Sequence, residues 1–192
     1  MGIDEIENVF SIYLNEIDRC EQAKCYWALL HLLLTIPDVC GALEKPKYEV
    51  VDRYVKWCEE NMPHTTNIKA SDRYQMRNSL LHTGSSTVHN RGNKYASKYS
   101  HFSYVDPETM AINLHDTVDD KTNILNINIK LMAKETKEAI DHWFHRIRSD
   151  SQVLRTVVSN LSSICRVQTK SIPLSNEDEK EIENKGETLS ST

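Results

Sequence analysis

Between Ala23 and Ile36 the chain is apolar on nearly every side of a helix. Tyr26, Trp27, Leu29, Leu30, Leu32, Leu33, Leu34 and Ile36 fill the run, with His31 among them. A helix that is hydrophobic all round has to be covered on several sides. The rest of the chain is therefore expected to pack around this segment as a bundle, with His31 a satisfied core histidine. The run Tyr26 to Ile36 is far shorter than the roughly 20 residues of a membrane span, so no membrane anchor is expected. Pro37 ends or kinks the helix, and residues 35–43 are able to add another helical turn or two.

The covering helices are legible from apolar spacing. Ile3, Ile6, Phe10, Tyr13, Leu14 and Ile17 recur every three or four residues, the signature of an amphipathic helix. Both a continuation of this helix into the apolar run and a break near residues 18–21 fit the sequence. Residues 48–61 repeat the pattern through Val50, Val51, Tyr54, Val55, Trp57 and Cys58. Residues 129–148 repeat it through Leu131, Met132, Thr136, Ile140, Trp143, Phe144 and Ile147. A last helix, 153–165, capped by Asp150 or Ser151, carries Leu154, Val157, Val158, Leu161 and Ile164.

One region breaks the helical period. Tyr99 to Val105 alternates, Asp106-Pro107-Glu108-Thr109 is turn chemistry, and Met110 to Val118 alternates again. Residues 98–118 thus read as an inserted β-hairpin. Ile124 to Asn128 is either a third short strand or the entry to the following helix. The fold class is mainly α, a bundle of four to six helices with a small β-hairpin.

The net charge is −5, and the segment Glu177 to Glu187 supplies −4 of it. The remainder is near neutral, so global charge does not advertise a nucleic-acid binder, and a polyanion needs a local basic site. Residues 173–192 are acidic and poor in large apolar groups. They read as a disordered tail after one domain, 1–172. The five cysteines, Cys20, Cys25, Cys40, Cys58 and Cys165, form no CxxC pair. Neither a disulfide framework nor a zinc site is expected. With an acidic start at Asp4, Glu5 and Glu7, the chain reads as cytoplasmic.

The chemistry concentrates in Ser71-Asp72-Arg73-Tyr74-Gln75-Met76-Arg77-Asn78-Ser79-Leu80-Leu81-His82-Thr83-Gly84. Ser71 is expected to cap the start of a short helix, Asp72 suits its positive end, and Gly84 suits its stop. Residues four apart share a face, so Asn78 and His82 are neighbours and Tyr74 extends their stripe. Arg77 is one step round, within reach of the same spot.

The pattern Arg77-Asn78-Ser79-Leu80-Leu81-His82 in a small all-helical chain resembles the HEPN superfamily. The resemblance covers residues 3–84 and 129–165, with the hairpin as an insertion. It implies a four- or five-helix bundle and ribonuclease activity of the toxin–antitoxin or phage-defence kind, working without metal or cofactor. It also implies a homodimer whose two motifs face one cleft, and an antitoxin or nucleotidyltransferase as partner. Arg77, Asn78 and His82 map onto the catalytic positions.

Those residue types suit the chemistry. RNA carries its own nucleophile, the 2′-hydroxyl, so a site needs only to move protons and stabilise charge on phosphorus. His82 is a general acid or base near neutral pH. Arg77 offers a permanent charge and a fork for phosphate oxygens. Asn78 orients the imidazole or binds phosphate. One histidine cannot easily be base and acid in a single step, which makes a second copy of His82 useful. Tyr74, Arg73, Arg91 and Lys94 are candidate RNA contacts, Tyr74 as a stacking platform. The alternative is structural: His82 caps helix carbonyls, Arg77 pairs with a neighbouring acid, and the domain binds a protein partner or nucleotide without cleavage. His142, His145 and Asp141 read as a solvated face rather than a metal site.

Overall fold

The computed structural model describes residues 2–64, 68–90, 94–106, 115–117 and 123–164. Six helices and three short strands follow in the order α1 (Ile3–Gln22), α2 (Tyr26–Glu44), α3 (Val50–Asn61), α4 (Ala70–Thr83), β1 (His101–Val105), β2 (Asp116–Thr117), β3 (Ile124–Asn128), α5 (Ile129–Ser149) and α6 (Ser151–Asn160). The expected mainly helical architecture with a small β element is present. The acidic segment 173–192 lies outside the described residues.

α2 is the hub, because its apolar residues point in all directions. Leu29, Leu30, Leu33, Leu34, Ile36, Cys40 and Leu43 are all buried. One side of α2 joins Phe10, Tyr54, Trp57, Trp143 and Phe144 in an aromatic-rich core with α1, α3, α5 and α6. The other side joins Met76, Leu80, Phe102, Leu125 and Ile127, so α4 and the sheet pack there. Gly41 lets α3 approach closely, since a Cβ at Gly41 would lie 2.9 Å from the Arg53 carbonyl oxygen.

Pro37 does not end α2; residues 35–43 continue it, as the sequence allowed, and the helix runs on to Glu44. With that length α2 becomes, among the described residues, the one helix long and apolar enough to cross a membrane, and half of the apolar window is buried inside this fold. His31 is exposed rather than in the core, and its Nδ1 lies 2.7 Å from the Trp27 carbonyl oxygen. Among the described residues it shares an exposed strip of α2 with Trp27 and Ala28.

The break between α1 and α2 comes at 23–25. Lys24 adopts a left-handed conformation, φ 55°. Its N–H donates to Glu21 O at 3.2 Å, and the Cys25 N–H donates to Cys20 O at 2.9 Å. This pair of bonds is the Schellman arrangement, which satisfies the last carbonyls of a helix.

Of the expected hairpin, the first strand is present as β1, whereas residues 110–114 and 118 of the second lie outside the described residues, and its described part, β2, does not pair with β1. β1 and β2 are not neighbours, because β3 lies between them. β1 pairs with β3 in parallel, from His101↔Ile124 to Val105↔Asn128, and β2 pairs antiparallel through Asp116↔Asn126 and Thr117↔Leu125. Burial explains the central place of β3. Leu125 and Ile127 are fully buried and the strand leads directly into α5, which ties it to the core. A parallel partner needs a long crossover, and the segment between β1 and β3 is long enough to supply one. Asn128 closes the junction, its side-chain oxygen accepting the Leu131 N–H at 3.0 Å.

α5 matches the expected span to within a residue. α6 ends earlier than expected, at Asn160, and a 3-10 turn, Leu161–Ser163, follows. Asp150 provides its cap, accepting the N–H groups of Gln152 and Val153 at 2.9 and 3.1 Å.

Candidate functional site

The start of α4 differs from the sequence reading, whereas its end does not. Ser71 is not the cap. The helix begins at Ala70, with Lys69 at the N-cap position, and the Asp72 carboxylate accepts the Lys69 N–H at 3.3 Å. An acid inside the first turn thus does the work assigned to the serine. Gly84 terminates the helix at φ 62° and ψ 18°, its N–H donating to Leu80 O and the Ser85 N–H to Ser79 O.

One side of α4 is tied to the segment that follows it. The Ser97 hydroxyl donates to Asp72 at 2.6 Å, and Gln75 donates to the Tyr95 carbonyl at 2.8 Å. Asn90 and Ser97 exchange two hydrogen bonds, which hold the segment folded back on itself. The polar stretch after Gly84 is therefore a docked connection in its described part. Lys94 is exposed and pairs with Asp52 at 3.1 Å, and the Tyr95 hydroxyl donates to the same carboxylate at 2.7 Å. Tyr95, with Lys94, holds the Asp52 carboxyl below its ordinary range. Arg91 lies outside the described residues.

The other side of α4 faces α2, and there Arg77, Asn78 and His82 come together. Arg77 Nη1 lies 2.7 Å from His82 Nε2 and donates to Asn78 Oδ1 at 3.1 Å. Arg77 Nε donates to Asp38 Oδ2 of α2 at 2.7 Å. A guanidinium has no acceptor, so His82 Nε2 accepts in this contact and a proton on the neutral ring sits at Nδ1. His82 is exposed, Arg77 and Asn78 are half-buried, and Thr83 and Gly84 beyond them are exposed. The cluster is thus at the surface, at the C-terminal end of α4. Asp38 also borders a depression of about 360 Å³ with Tyr13, Thr35, Val39 and Ile164.

Asp38 is the member that sequence reasoning missed. A signal existed: it is the only acid between Tyr26 and Leu43, in the most apolar helix of the chain. Its Oδ1 is buried and takes no hydrogen bond from the described residues. All its visible hydrogen bonding is thus directed at Arg77.

The remaining candidates fall elsewhere. Arg73 is in the core, 1% exposed, and its Nη2 pairs with Glu135 of α5. His115, also buried, faces the same carboxylate oxygen at 3.3 Å and accepts the Asn128 N–H at Nδ1 at 3.2 Å. Arg73 is therefore not at the surface, where the expected RNA contact would require it. It stands one turn before Arg77 on α4, on the side that meets Glu135 of α5 and Cys58 and Met62 at the end of α3. Tyr74 packs edge-on against Tyr54, ring centroids 5.5 Å apart, so one face of a stacking platform is already used. His142 lies 3.3 Å from Asn61 Oδ1, and His145 lies 3.8 Å from Asp141. Among the described residues no group of three or more His, Cys, Asp or Glu side chains is placed to hold a metal ion.

No protein-family model, no curated protein and no solved structure matches this chain.

Proposed function

We propose that this chain is a HEPN-like, metal-independent endoribonuclease that cleaves RNA by attack of the 2′-hydroxyl on the adjacent phosphate. The observation that carries the reading is the contact of Arg77 with His82, 2.7 Å apart at the exposed end of α4. A permanent cation and an imidazole within hydrogen-bond reach suit a phosphate that enters between them. Phosphate oxygens would take the guanidinium N–H groups now spent on His82 and Asn78. That exchange frees Nε2, which then removes the 2′-hydroxyl proton. The 2′-oxygen attacks phosphorus, the 5′-oxygen leaves, and the product ends in a 2′,3′-cyclic phosphate. Asp38 is a positioning residue: it holds Arg77 by Nε and leaves the Nη edge to face the substrate.

The leaving 5′-oxygen needs a proton from a second acid. In this reading a homodimer supplies it as the partner's His82, an arrangement that the surface location of the motif permits. Purified protein is expected to cut single-stranded RNA with excess chelator present. His82→Ala should abolish cleavage while leaving the helical circular dichroism unchanged. Undiminished cutting by that variant rejects the site.

A second reading is favoured by a different observation. A groove of about 760 Å³ runs along α6, lined by Leu154, Val158, Leu161 and Arg155, with Glu5 of α1 at its edge. Such a groove suits a non-catalytic module that binds a protein partner. It predicts no cleavage by wild type, and loss of a co-purifying partner on Leu154→Asp.

A further inference from the structure

Cys20 and Cys25 stand on either side of the α1–α2 junction, and the backbone between them is folded back sharply. In the Schellman arrangement closing α1, Cys20 occupies the third position from the helix end and Cys25 the second position beyond the C-cap, Ala23. Side chains at these two positions are the ones that meet across such a turn. A direct backbone hydrogen bond of 2.9 Å, Cys25 N–H to Cys20 O, joins the pair. A disulfide needs Cα atoms within about 4.4–6.8 Å of each other, a separation that this direct backbone link suits. Both cysteines are free thiols, Cys25 exposed and Cys20 half-buried.

We propose that Cys20 and Cys25 form a peroxide-sensitive dithiol, oxidised to an intramolecular disulfide that clamps the α1–α2 turn. The electrostatics agree with this pairing. Burial raises the Cys20 thiol above its ordinary range, and the neighbouring Cys25 is the next cause, ahead of Glu16. The two sulfurs therefore sense each other. Cys40 and Cys58 are different: both lie fully inside the core, where burial pushes the Cys58 thiol up to about 12 and Cys40 well up too. Buried thiols of that kind are inert.

The order of events follows from exposure. The Cys25 thiolate attacks one oxygen of hydrogen peroxide. An S–O bond forms, the O–O bond breaks, and hydroxide leaves to become water with the thiol proton. Cys20 then attacks the Cys25 sulfenic acid. The S–S bond forms, the S–O bond breaks, and a second water departs with the Cys20 proton. Two thiols are oxidised and one peroxide is reduced to two waters. In a reducing compartment such a bond is transient and serves sensing rather than stability.

Tryptic mapping tests this on the full chain, because Lys24 lies between the two cysteines. After hydrogen peroxide, the protein is alkylated under denaturing, non-reducing conditions. The alkylated cysteines should fall from five to three. The peptide spanning residues 20–24 should remain joined to the fragment that begins at Cys25, with fragment ions placing the bond on Cys25. Cys20→Ser should abolish the linked species and divert Cys25 to sulfinic acid or to a dimer linked through Cys25. Retention of five alkylated thiols overturns the proposal. So does a bond from Cys25 to Cys40 or Cys165 in the wild type, or sulfinic acid at Cys25 beside a free Cys20.

Discussion

Arg73 and Arg77 stand one turn apart on α4, yet they have opposite surroundings. The Arg73 side chain is 1% exposed and pairs with Glu135, itself in contact with buried His115. The Arg77 side chain is 17% exposed and divides its donors among Asp38, Asn78 and His82, the last at the surface. A fully buried ion pair has to be complete, because removing either partner strands a charge in the core. A cation at the rim can exchange one acceptor for another, since water and ligands reach it. The same residue type on the same helix is thus suited to holding the fold at one position and to chemistry at the other.

The sharpest attempt to break this contrast is Glu135→Ala. It should cost about 3–5 kcal/mol by taking the buried carboxylate away from Arg73 Nη2, read as a drop in urea midpoint. Replacing both partners, Arg73→Met with Glu135→Leu, should recover most of that loss. If the single change costs less than 1 kcal/mol or so, Arg73 is not the structural member of the pair.

Asp38→Ala should cost less, about 1.5 kcal/mol, because Arg77 retains access to water when its acceptor is lost. Its larger effect is expected on RNA cleavage, with Asp38→Asn restoring part of the activity by still accepting the Arg77 Nε–H. Equal losses of activity from both variants would show that charge rather than position is needed there.

A third arginine sharpens the scale. Arg146 is 27% exposed and grips Glu44, whose carboxylate also takes the Trp143 indole N–H at 2.9 Å and lies 3.0 Å from Lys45. Burial opposes the Glu44 charge, but Arg146 and Lys45 outweigh it and leave the carboxyl below the ordinary glutamate range. A carboxyl depressed in the folded state contributes stability above its unfolded pKa, and that contribution fades as pH falls through the folded value. Thermal stability should therefore drop below about pH 4.5, and Glu44→Gln should flatten that part of the profile. A variant that keeps the wild-type slope would assign the acid sensitivity to other carboxylates.

The smallest stability change is expected at His82. His82→Ala removes an exposed ring and should shift stability by no more than about 0.5 kcal/mol, measured by urea unfolding. A shift several times larger would make His82 a structural cap and return Arg77 to the same class as Arg73.

Much of the bundle was legible from apolar period. The spacing through Trp143, Phe144 and Ile147 located α5, and Tyr54, Trp57 and Cys58 marked the inner face of α3. Gly84 marked the end of α4 because only a left-handed residue closes that turn easily. Local chemistry misled where two local solutions compete. Ser71 is a good cap in isolation, but Asp72 one residue later captures the Lys69 N–H and also receives Ser97, so the helix starts earlier. The turn residues 106–109 suggested a hairpin, yet β3, with Leu125 and Ile127 fully buried and the chain running straight into α5, lies between β1 and β2.

Local patterning was enough to make α2 central, the fold mainly helical, and Arg77, Asn78 and His82 neighbours at one end of a helix. These follow from periodicity and from i,i+4 geometry, which act within a few residues of chain. Long-range packing settled that Asp38 holds Arg77, that Arg73 pairs with Glu135, which also meets His115, and that His31 is exposed. Each of those depends on which face of one element meets which face of another. Burial, not residue type, then separates a charge that holds the core from one that remains available at the surface.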